Sequence, residues 1–117
     1  MTIFRFSAVA ALLALVACAE NMPAKKTELG KIVRMSNIDS AGLALGDFVR
    51  ARLRDRTALR REFADAGFER TNFLDQRGRS CELFQWQGKP RGAAFSTLFR
   101  ASICEDEVFA RAWQNLP

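Results

Sequence analysis

The chain contains no histidine and no tyrosine. Without an imidazole, Ser-His and Cys-His nucleophile systems are excluded, and so are histidine zinc sites. Cysteine is sparse: Cys18, Cys81 and Cys104 occur with no C-x-x-C spacing, which argues against thioredoxin-type exchange and against a cysteine metal set. No glycine-rich phosphate loop is present. The densest acidic group, Glu105-Asp106-Glu107, lacks the pattern of a catalytic dyad or a calcium loop and reads as the start of a helix. The leading apolar run, Ser7 to Ala17, has eleven residues, short of the ~20 a spanning helix needs. These absences predict a protein that is not an enzyme and takes no metal and no cofactor.

What is present starts at the N-terminus. Phe4-Arg5-Phe6 places one positive charge before the apolar run, the pattern of a secretory signal. Leu15-Val16-Ala17-Cys18 closes that run and resembles the lipobox of bacterial lipoproteins. The resemblance covers residues 1–18 only. It implies a diacylglycerol on the Cys18 thiol, cleavage of the signal peptide 1–17, and acylation of the freed amine. Two or three acyl chains anchor a protein to a membrane stably where one does not. By the same resemblance Ala19, where an aspartate would favour inner-membrane retention, implies the outer membrane, facing the periplasm. Ala17-Cys18-Ala19 also satisfies an A-x-A site, so cleavage before Glu20 and release of a soluble periplasmic or secreted protein is the alternative. An uncleaved anchor is a third.

Removing residues 1–17 leaves 100, enough for one modest domain. Of 18 basic residues only Arg5 falls in the signal, which leaves 17 against 13 acidic residues. The chain has ten phenylalanines and two tryptophans, and the eight phenylalanines and both tryptophans beyond the signal are enough to build a core. With Cys18 carrying lipid, Cys81 and Cys104 remain as a predicted disulfide in a compartment where disulfides persist; two free buried thiols are the alternative.

Residues 18–31 read as a flexible tether, or as an ordered segment laid over a sheet, and residues 32–117 as a single small α+β domain. Ile32-Val33 and Ile38 fit a short strand or a staple. Leu43 to Leu53 fits helical and strand spacing alike. A break is expected near Arg54-Asp55. One helix continuing to Ala66 would set Arg52 and Arg56 within the arc of Leu45, Phe48, Val49, Leu59 and Phe63; a single bent helix with snorkelling arginines is the alternative. Asp55 to Ala66 is the clearest helix, with Asp55 as N-cap, Leu59, Phe63 and Ala66 on one face, and Gly67 at C′. Three strands are predicted at 68–74, 80–87 and 94–103, with turns at 75–78 and 88–92. The second has apolar residues on both faces and reads as central and covered on both sides. In the third, Phe95, Phe99, Ala101 and Ile103 form the apolar face, with Thr97 among them. Glu105 to Leu116 reads as a short C-terminal helix, with a fourth strand as the alternative. The fold class is therefore α+β, one or two helices on a three-stranded antiparallel sheet. A tight turn at 89–92 sets Cys81 opposite Arg100. A bridge to Cys104 then requires a longer connection, a bulge, or a Cys104 that leaves the sheet and ties the C-terminal segment to the second strand.

Arg50, Arg52, Arg54, Arg56, Arg60 and Arg61 crowd twelve positions against Asp55 as the one acid. They form a candidate anion-binding segment for acidic headgroups, lipid A phosphates or an acidic protein. The alternative is a solvated face paired with Glu62, Asp65 and Glu69. Nucleic acid does not suit an exported protein. Trp86 and Trp113 fit either the core or a protein-binding groove. In element order alone, the chain loosely resembles the small accessory lipoproteins of outer-membrane assembly. That resemblance implies an interaction module docking on an envelope protein complex. A periplasmic binding or inhibitory protein using its arginines is the alternative; the oligomeric state is left open.

Overall fold

The computed structural model describes residues 22–90 and 96–115. Three helices, α1 (Glu28–Val33), α2 (Ile38–Arg50) and α3 (Arg56–Asp65), precede four strands, β1 (Glu69–Leu74), β2 (Ser80–Gly88), β3 (Ser96–Cys104) and β4 (Glu107–Asn115). The strands form one antiparallel sheet in the order β1-β2-β3-β4. The fold is α+β, and a fourth strand stands where the C-terminal helix was expected.

Each helix starts at a side chain that accepts a hydrogen bond from its first turn. Thr27 takes the N–H of Gly30, Asn37 that of Ser40, and Asp55 that of Ala58. The break expected near Arg54-Asp55 is present: the backbone turns at Ala51–Arg54 before Asp55 opens α3. At the other end of α3, the Gly67 N–H reaches the Ala64 carbonyl and the Phe68 N–H reaches the Phe63 carbonyl. Gly67 sits at φ 83°, so this is a Schellman stop, with Phe68 folded back on Phe63.

Part of the expected tether is ordered. Pro23 is buried, and its carbonyl accepts from Arg34 Nη1 at 2.8 Å. From Met22 onward the chain is ordered, with α1 packed on α2, and residues 18–21 lie outside the described residues. Ile32 and Val33 belong to α1 and Ile38 opens α2, so neither is a strand.

β4 is a strand because of the tight turn before it and the helix that packs on it. Glu105, in the left-handed region at φ 56°, and Asp106 form a two-residue turn that sends the chain back along β3. Val108, Ala110 and Ala112 then face the helices. α2 lies close to β4 because Gly42 and Gly46 face it; a Cβ on Gly42 would stand 3.1 Å from the Ala112 nitrogen.

The core lies between the helices and one face of the sheet. Phe84, Trp86, Thr97, Phe99, Ala101 and Ile103 supply that face, and Leu45, Phe48, Val49, Leu59 and Phe63 the helical layer. Thr97, Phe99, Ala101 and Ile103 share the buried side as expected; Phe95 lies outside the described residues. β2 is an inner strand, but among the described residues helices cover only one of its faces. The three described helices precede the sheet and pack on the same side, so the expected cover on both sides is not found among the described residues.

Cys81 and Cys104 are bonded directly across β2 and β3, with Cα atoms 4.4 Å apart, the spacing of a non-hydrogen-bonded antiparallel pair. The β2–β3 ladder ends at Gly88 and Thr97, so the connection is longer than a tight turn at 89–92. Arg100 accordingly faces Gln85 and not Cys81.

Candidate functional site

The arginine segment does not form one free patch. Arg52 lies 2.7 Å from Glu62 and 3.0 Å from Glu28, donates to the Phe48 carbonyl, and stacks over the Phe48 ring. Arg60 grips Glu82 with two hydrogen bonds of 2.8 Å, and Arg70 adds a third of 2.8 Å. Arg56 approaches the same carboxylate at 3.6 Å and also donates to the Glu105 carbonyl. Arg50 is exposed, 3.4 Å from Asp47. Arg54 and Arg61 are exposed and form no ion pair among the described residues.

Glu82 and Arg70 escaped the sequence reading. The signal was available: Glu82 alternates with Phe84 and Trp86, so it is the charged residue on the buried face of β2. A carboxylate placed there needs cations. Hydrogen bonding from Arg60 holds the Glu82 carboxyl below the usual carboxylate range against the opposing effect of burial, and the Arg60 and Arg70 charges add to it. A depressed folded-state pKa gives stability that is fully present above the unfolded value of about 4.3 and is lost as pH falls through the folded value. Asp75, lowered by the Arg79 backbone N–H and side chain, acts in the same direction. Glu82→Gln is expected to cost about 1–3 kcal/mol at pH 7 and to flatten, without abolishing, the acid loss of stability. Urea unfolding between pH 6 and pH 2.5 measures both; an unchanged acid slope would rule Glu82 out as its source.

The opposite face of the sheet is open among the described residues. It carries Thr71 and Phe73 from β1, Leu83 and Gln85 from β2, Leu98, Arg100 and Ser102 from β3, and Phe109, Arg111 and Trp113 from β4. Phe109 is 62% exposed and Phe73 39%. Phe73, Leu83, Phe109 and Trp113, with Arg100 and Arg111, line a shallow apolar groove. Trp113 thus stands on the open face, whereas Trp86 is core. Arg100 and Arg111 are direct cross-strand partners, and their guanidinium carbons lie 5.7 and 5.2 Å from the centroid of the Trp113 ring. Arg100 Nε donates to Gln85 Oε1 at 2.8 Å.

The disulfide closes one end of this face. The Asp75 carboxylate lies beside the two sulfurs, but the bridge removes both thiolates and Arg79 holds the carboxylate at 2.7 Å, so the trio is not a metal set. Among the described residues no helix is long and apolar enough to cross a membrane. Cys18 lies outside the described residues. Comparison with known protein families, with curated proteins and with solved structures finds no match to this chain.

Proposed function

We propose that this protein is a non-catalytic interaction module of a bacterial cell envelope, anchored by lipid on Cys18 in the outer membrane and docking on an envelope protein complex. The observation that carries the docking is the one-sided cover of the sheet. An antiparallel sheet covered on one face normally turns polar residues to water on the other, whereas this one carries Phe73, Leu83, Phe109 and Trp113 there. Aromatic residues beside arginine are the composition of interface hot spots. The Cys81–Cys104 bridge suits an exported protein. The arginine segment supports an anion-binding role less, because Arg52, Arg56 and Arg60 spend donors on carboxylates of their own chain.

Two measurements on the full gene in a Gram-negative host test the reading. The intact mass of the membrane-extracted product should equal residues 18–117 plus acyl chains and rise by about 2 Da on reduction. A soluble product beginning at Glu20 would remove the anchor. For the docking, a photoreactive residue replaces Phe109 on the open face or, as a control, exposed Leu43 on α2. Irradiation in cells should link one envelope protein from position 109 and not from 43; equal capture at both, or none, would overturn it.

A further inference from the structure

Arg100 and Arg111 face each other directly on adjacent strands. Like charges in that position repel and weaken a sheet. Among the described residues neither forms an ion pair, although nine such pairs are formed elsewhere among them. The contrast with Arg56, Arg60 and Arg70 is direct, since those three converge on Glu82. The Gln85 amide oxygen takes one Arg100 donor, and the Trp113 ring lies under both guanidiniums. Each guanidinium has five N–H donors, so most of this pair's donors remain for a partner. These contacts leave the paired positive charge uncompensated by any carboxylate among the described residues. A partner carrying negative charge would compensate it.

We infer that the Arg100–Arg111 pair, backed by Trp113, is a carboxylate-recognition site that selects an acidic, apolar protein segment on the open sheet face. The inference rests on the docking reading above and names the chemistry of its partner. Phe73, Leu83 and Phe109 bury the partner's apolar side chains, and the paired guanidiniums donate bidentate hydrogen bonds to its carboxylate, desolvated against the indole. Charge complementarity sets the choice of partner and the association rate more than total affinity.

The test uses the full chain in a neutral detergent and reads tryptophan emission, in which Trp113 stands on the open face and Trp86 is buried. One probe is a short synthetic peptide alternating leucine or phenylalanine with glutamate. A second peptide has glutamine in place of every glutamate. The third probe is phosphatidylglycerol mixed into the detergent micelles. The glutamate peptide should bind about tenfold more tightly than the glutamine peptide, with an advantage that fades as salt rises. Arg100→Gln and Arg111→Gln should each erase that advantage while the midpoint of thermal unfolding stays level or rises, because like-charge repulsion is relieved. Equal binding of the two peptides would overturn carboxylate selection and leave apolar docking standing. No binding of the glutamate peptide would overturn the site, and the crosslink at position 109 then decides the docking reading separately. A tryptophan response to phosphatidylglycerol that the arginine variants lose would make the face a membrane contact instead.

Discussion

Phe63→Ala is expected to lower the unfolding free energy by about 3–5 kcal/mol, a large share of the ~5–15 kcal/mol that keeps a domain folded. The reason is where the ring sits. It is fully buried, stacked on Phe84 at 4.3 Å, edge-on to Phe48 at 5.6 Å and tilted against Phe68 at 4.9 Å. These three neighbours belong to the sheet, to α2 and to the segment leaving α3, so one side chain joins three parts of the fold. α3 buries little else: Leu59 and Phe63 are its fully buried residues. Truncation removes the transfer free energy of the ring and leaves a cavity that rigid aromatic neighbours fill poorly. It also removes the apolar contact that closes the Schellman stop. Urea unfolding measures the loss, and Phe63→Leu should recover part of it. A cost below about 1 kcal/mol would mean that the cluster collapses around the gap and that Phe63 is not its hub.

α3 was legible in the sequence because its cues are local. Asp55 caps it, Leu59 and Phe63 mark its buried face, and Gly67 stops it, all within thirteen positions. β4 was not legible, because its strongest pattern is silent on the question. Phe109 and Trp113 are four apart, and residues four apart share a face in a helix and in a strand alike. The deciding facts lie outside that pattern: the tight turn at Glu105-Asp106 just before β4, and the two distant glycines of α2 that admit β4 closely. The arginine segment was half legible. Six cations are visible in one stretch, but the carboxylate that organises three guanidiniums lies on another element, 22 residues from Arg60. The open face shows a further limit. Alternation in β2 reports that both faces carry apolar residues; whether a second layer exists to cover one of them depends on the whole chain.

Joint replacement of Cys81 and Cys104 by serine is expected to cost about 3 kcal/mol, within the range of about 2–5 kcal/mol seen when small exported domains lose a native bridge. The two cysteines are 23 positions apart, so the bond closes a loop of moderate size in the unfolded chain. At about 4–8 °C per kcal/mol for a domain of this length, the unfolding midpoint should fall by more than ten degrees. Reduction of the wild-type protein should reproduce the shift. Position gives the bond a further effect. Cys104 ends β3 one residue before the Glu105 turn, and the Glu105 carbonyl accepts from Arg56 at the start of α3. Breaking the bridge therefore loosens the turn that starts β4, the tie from α3 to that turn, and the end of the open face that carries Phe109. Hydrogen exchange should accelerate most at residues 102–109, and docking through position 109 should weaken more than the loss of global stability alone accounts for. A serine pair that keeps its unfolding midpoint within a few degrees, with uniform exchange, would show instead that β2–β3 pairing holds this end of the sheet without covalent help. In that event the open face would keep its shape under reducing conditions, and its binding would not depend on the redox state of its surroundings.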